Sequence, residues 1–260
     1  MTPPQEEVAL ELPDELLGQR APGGAPLARA RRARNRYLTS KRQRHPEEIQ
    51  RKVWTQVVGF EPNWISSATA TNPTVNPIVT YTAECVVPQP PQSTGDQIVF
   101  VFIGLQDGPG TMILQPVLQW NLNGAFADRW TVSSWFVRQG LDPVYSQPVP
   151  VNPGDVLRPA LRLTRHQLGE HTYECGFADL PATVKEAAHL PELKQAVCVL
   201  EAYRIENCSE YPDTSPITFR NVAIATAAGA ASPKWTEQNW VIDCGQRCSA
   251  GANRIDLYCR

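Results

Sequence analysis

At 260 residues and 42% hydrophobic content, the chain is long enough for one large domain with a full core, so a wholly disordered protein is excluded. Its 24 prolines and 16 glycines argue against long helices, and no apolar run reaches transmembrane length. The formal net charge of −2 hides an asymmetry: residues 1–52 hold 11 Lys/Arg and 7 Asp/Glu, whereas the remaining 13 Lys/Arg face 19 Asp/Glu.

Residues 1–28 read as a flexible leader, acidic and then Gly/Ala/Pro-rich. Residues 29–44 hold eight basic residues and no acid. A single aromatic, Tyr37, and the acidic body that follows argue against a nucleic-acid interface. The segment is then a solvated basic arm or one that folds back on its own acidic body. His45-Pro46-Glu47-Glu48 has a helix-start pattern, proline in the first turn with acids beside it, and predicts a short helix to about Thr55. The division is an arm over 1–52 and a β domain over 53–260. The acidic N-terminus lacks the apolar run of a secretory signal, which points to the cytoplasm unless an upstream segment precedes it.

From Val57 the pattern changes to short β segments. Strands are expected over 78–87, 97–105, 112–120, 130–137, 156–164, 171–177, 197–205, 217–225 and 255–259. The first hairpin is the clearest: an apolar run to Leu105, the turn residues Gln106-Asp107-Gly108-Pro109-Gly110, then a second run from Met112 to Trp120. In 156–164, Leu157, Leu161 and Leu163 alternate with Arg158 and Arg162, as on a strand with one solvated face. Residues 181–194 read as a short helix or an extended loop. Many short strands with little helix predict an all-β antiparallel sandwich.

The residue types that carry chemistry narrow quickly. Cys244, Cys248 and Cys259 stand near metal-ligand spacing, but a structural zinc site needs four ligands, and a disulfide or free thiols fit better. The seven cysteines cannot all pair within one chain. His166 and His171 flank a hairpin turn and are expected to face solvent. No GxSxG, P-loop or GxGxxG motif is present. Two polar groups inside apolar strands stand out: Gln115, and Glu201 within Val197-Cys-Val-Leu-Glu201. Each is expected to be satisfied structurally or to face a cleft, because an unpaired buried amide or carboxylate is costly.

Several motifs occur in order and register: Asn63-Trp64, the stretch Val79–Pro88 with its proline-rich loop, Phe102-Ile-Gly-Leu-Gln106, Met112-Ile-Leu-Gln115, Trp130–Trp135, Val151–Val156, Val199-Leu-Glu201-Ala202 and Ile217-Thr-Phe219. Together they resemble the glutamic peptidases, the eqolisin family, over about residues 60–225. The resemblance implies a concanavalin A-like, jelly-roll sandwich of two bent antiparallel sheets. It implies peptide-bond hydrolysis in acid by a Gln/Glu pair, falling on Gln115 and Glu201, with Glu206 as the alternative to Glu201. No metal or cofactor is implied. Trp64, Phe102, Gln106, Gln119, Trp120, Trp130, Ser134 and Trp135 are the expected cleft residues. The substrate would be a peptide or protein; the alternative is an inactive or repurposed sandwich binding a peptide, glycan or small ligand in the same cleft. The arm 29–44 resembles the family's basic propeptide, and the family is otherwise made with a secretory signal. The sequence departs from the family at Phe102, Gln106, Gln119 and Ser134, where the pattern has a tryptophan and three acids.

Overall fold

The computed structural model describes residues 63–95, 97–122, 126–167 and 169–260. The arm, its expected helix and the 52/53 boundary lie outside them. The strands are β1 (Trp64–Thr71), β2 (Ile78–Val86), β3 (Ile98–Gln106), β4 (Met112–Trp120), β5 (Trp130–Arg138), β6 (Val144–Tyr145), β7 (Val149–Pro150), β8 (Val156–Leu157), β9 (Pro159–Gln167), β10 (Glu170–Phe177) and β11 (Leu180–Leu190). They continue with β12 (Gln195–Tyr203), β13 (Ile217–Thr226), β14 (Gly229–Ala230), β15 (Thr236–Asn239), β16 (Arg247–Ala250) and β17 (Ile255–Tyr258). One sheet, here sheet A, runs β15-β1-β12-β3-β4-β5-β6, with β7 on β5. Sheet B runs β11-β10-β9-β2-β13-β17-β16, with β8 on β2 and β14 on β13. The pairings are antiparallel, and the expected all-β sandwich is the architecture found. Among the described residues no helix is long and apolar enough to cross a membrane.

The β3–β4 hairpin forms where its turn chemistry predicts. The Asp107 carboxylate accepts from the backbone N–H of Thr111 (2.7 Å) and Met112 (3.1 Å). Gly110 takes the positive φ of 68° that closes the turn at low steric cost. Both strands are buried along their whole length, so each packs on two faces. The inter-sheet face of sheet A presents Val101, Ile103, Leu118 and Leu200 to Tyr81, Tyr173, Phe177 and Phe219 of sheet B. The two phenols are satisfied: Tyr81 donates to the Val197 carbonyl (3.1 Å) and Tyr173 to the Ile78 carbonyl (2.7 Å).

Two expectations are corrected here. Residues 180–190 form strand β11, paired with β10. Its buried positions are Thr183, Ala187 and Leu190, a four-then-three spacing that imitates a helix. Thr183 and Ala187 keep the two-residue period with half-buried Lys185 between them, and the register shift between His171 and Tyr173 sets the last step to Leu190. His171, expected in solvent, is only 3% exposed. It lies opposite Leu190, so the unanticipated strand is what covers it.

Burial, with His166 adding to it, lowers the His171 pKa from the usual imidazole value, against weaker raising effects from the Leu190 and Gly169 backbone and Glu192. The unfolded chain therefore takes up this proton at a higher pH than the folded one. The folded state loses stability as pH falls below the unfolded value near 6.5, until the folded imidazole also protonates. Thermal melts should show a falling Tm between pH 7 and 5 that is shallower in His171→Gln. Parallel slopes would place the acid sensitivity elsewhere.

The cysteines divide unequally. Cys208 and Cys244 form a disulfide, and Cys85, Cys175, Cys198, Cys248 and Cys259 are buried thiols. Burial pushes the thiols of Cys85, Cys248 and Cys259 up to about 12, so they are protonated and unreactive. Among the described residues no group of three or more His, Cys, Asp or Glu is placed to hold a metal ion.

Candidate functional site

Strand parity sorts the candidates onto two faces. Side chains alternate along a strand, so even-numbered residues of β3 share a face with odd-numbered residues of β4, β5 and β12 in this register. That is the outer face of sheet A. It carries a second hydrophobic cluster, separate from the inter-sheet core, built on Trp64, Phe100, Phe102, Val117, Trp135, Val197 and Val199. Gln115, Gln119 and Glu201 share this parity.

Trp120, Trp130 and Ser134 have the opposite parity. The two tryptophans pack in the inter-sheet core with ring centroids 5.3 Å apart, and Ser134 lies on that side beside Cys175. As lining for a cleft that contains Gln115 they are corrected: a residue an odd number of steps from Gln115 along β4, or from Trp135 along β5, points the other way.

The outer face is organised in rows. Trp64, Glu201, Phe100, Gln119 and Thr131 pair in one line across β1, β12, β3, β4 and β5. The next row on the same face joins Val199, Phe102, Val117 and Ser133. The third joins Val197 with Gly104, and Gln115 with Trp135 and Tyr145. The β3–β4 register on either side brings Gly104 level with Gln115.

Glu201 is 7% exposed and accepts a short hydrogen bond from the Tyr203 hydroxyl. Tyr203 meets Phe100 edge-on at 5.8 Å, and Phe100 packs on Trp135 at 5.6 Å. Gln119 is fully engaged, its carbonyl taking the Trp135 indole N–H (3.0 Å) and its amide donating to Thr131 Oγ1 (3.1 Å). The same indole N–H reaches Ser133 Oγ (2.9 Å). Gln115 is buried and its carbonyl oxygen has no hydrogen-bond partner. Trp64 meets Phe102 at 6.3 Å and Trp240 at 6.0 Å, both edge-on. Gln106 closes the far end of the face by donating to Gln195. Glu206 is exposed in the loop after β12, where its backbone N–H donates to the Glu210 carboxylate.

Gln115 and Glu201 therefore share a face but not a row. Two strand spacings, about 10 Å, and four residues of rise, about 13 Å, separate their Cα atoms. The amide in the same row as Glu201 is Gln119, across Phe100. Tyr203, Phe100, Thr131, Ser133, Tyr145 and Trp240 belong to this face and were not anticipated. Parity alone would have found Tyr203, two residues from Glu201, and Ser133, two from Trp135.

No family model matches the sequence, and no curated protein matches it. Among solved structures the chain is similar to scytalido-glutamic peptidase with a peptide-based transition state analog, with a TM-score of 0.51 and 14% identity over 75% of this chain and 97% of that one. A second structure of that peptidase, with a transition state analog inhibitor, gives 0.50 and 15% over the same shares. SCP-B, a member of the eqolisin family in complex with the tripeptide Ala-Ile-His, gives 0.47 and 13%. At these identities the likeness is one of fold, and the fold of this chain is an eqolisin-like β-sandwich.

Proposed function

We propose that the chain is a glutamic-peptidase-like hydrolase that cleaves peptide bonds in acid on the outer face of sheet A. The observation that carries the proposal is a carboxylate, Glu201, held at 7% exposure among Trp64, Phe100 and Tyr203 on that face. The likeness to peptidases that share the fold supports it. The Glu201 carboxylate takes a proton from water, and the resulting oxygen attacks the peptide carbonyl carbon. The protonated Glu201 then returns that proton to the leaving nitrogen as the C–N bond breaks. A side-chain amide donates to the oxyanion, the role that the resemblance gives to Gln115, which would have to move toward Glu201 to fill it. Basic residues of the arm 29–44 would lie against this acidic body at neutral pH and leave as its carboxylates protonate.

The distance between Gln115 and Glu201 favours a second reading, in which the same face binds an extended peptide or small ligand without cleaving it. The full chain, incubated with denatured protein at pH 2–5, separates the two. Hydrolysis is expected for the native protein and at least a hundredfold less for Glu201→Gln. Equal activity in the two would remove Glu201 from the chemistry, and no cleavage by either would leave the binding reading.

A further inference from the structure

Three of the four histidines in the sequence, His166, His171 and His189, meet at one corner of sheet B, on the other sheet from Glu201. His166 and His171 are direct cross-strand partners at the β9–β10 turn. Their rings tilt at 41° with centroids 4.6 Å apart, and His166 Nδ1 stands 2.9 Å from His171 Nε2. We propose that these two nitrogens chelate a late divalent transition-metal ion, of the Ni2+ or Cu2+ class.

The spacing carries the argument. Two imidazole nitrogens each about 2.05 Å from one ion, at the right angle of square-planar or octahedral coordination, stand about 2.9 Å apart. The tetrahedral angle would need about 3.3 Å, so the pair suits Ni2+ or Cu2+ better than Zn2+. His171 is held for the purpose. It is 3% exposed and stacked on Tyr173 at 6.3 Å, which fixes its ring. Its Nδ1 is buried without a hydrogen-bond partner, which leaves that nitrogen free to carry the ring's proton. With the proton on Nδ1, Nε2 keeps its lone pair for the ion. His166 is exposed, so its other coordination side faces water, which fills the remaining positions.

Proton balance is simple. In the metal-free pair one N–H proton lies between the facing nitrogens. If it belongs to His166 it moves to the exposed Nε2 of the same ring, so a neutral pair gains the ion with no net proton release. Glu192 adds favourable negative charge near His171, and the exposed Glu170 carboxylate is held by His189 Nδ1 at 2.7 Å. His189 is therefore a neighbour and not a ligand.

The test uses the full-length protein with Ni2+ alone by titration calorimetry at pH 7.5, and Cu2+ alone by electron paramagnetic resonance. One equivalent should bind, with a Cu2+ spectrum split by two nitrogens. His166→Gln, an exposed change that spares the fold, should weaken Ni2+ binding at least tenfold and remove one nitrogen from the spectrum. His189→Gln and His45→Gln should stay within threefold of the native protein. Unchanged affinity in His166→Gln, or loss of the site in His45→Gln, would overturn the proposal.

Discussion

Replacing Trp130 by alanine is expected to lower stability by about 3–5 kcal/mol. Trp130 is 1% exposed, pairs directly with Trp120 across β4 and β5, and packs on it edge-on at 5.3 Å. Truncation leaves a cavity the size of an indole between two sheets that cannot close over it. One effect opposes the loss. The Trp130 indole N–H is buried without a partner, and deleting it relieves a penalty of about 1–3 kcal/mol already present in the native state. The lost packing and the cavity are the larger effects, and the relief brings the loss toward the lower end of that range. Trp130→Phe separates the effects, since it keeps most of the volume and removes the N–H. It should cost under about 1.5 kcal/mol. Thermal or denaturant unfolding reads both, and for a domain this size each kcal/mol moves Tm by about 2–4 °C.

The second large effect is expected at Cys208–Cys244. The bridge closes a loop of 36 residues, for which chain entropy alone predicts about 4 kcal/mol. It also joins the segment after β12 to the segment after β15. The second segment is otherwise tied by the Trp240 and Val241 N–H groups, which both donate to the Ile65 carbonyl at 3.0 and 3.2 Å. Reduction, or Cys208→Ser with Cys244→Ser, should lower unfolding free energy by about 2–4 kcal/mol. Hydrogen exchange should rise first around residues 236–246. A loss below about 0.5 kcal/mol would mean that the Ile65 contacts and the Trp64–Trp240 packing hold this wall by themselves.

The β3–β4 hairpin was fully legible, because its turn residues and its two apolar runs are local features. The faces of those strands were not assigned, because both sides are buried and the apolar runs carry no alternation to read. Parity still constrained them: if Gln115 faces a cleft, Trp120 cannot. The pairing of Glu201 with Phe100 and Gln119, and not with Gln115, is a matter of register between strands nearly a hundred residues apart. Nothing local sets that register. His171 was misread for a related reason. Its cover comes from β11, whose last buried step, Ala187 to Leu190, crosses a slip in the ladder.

The placement of β1 bears on the order in which the chain can assemble. Trp64–Thr71 pairs with Gln195–Glu201 on one side and with Thr236–Asn239 on the other, and with nothing nearer in sequence. While the protein is being made, β1 emerges before the other described strands and must wait until β12 has been made before it has a partner. At ~5–20 residues per second, that interval is on the order of ten seconds. Its apolar side chains and unpaired backbone are open to other chains throughout it. The hairpins β3–β4–β5 and β9–β10, which close locally, are the parts able to form meanwhile, so β1 joins a sheet whose centre can already be in place.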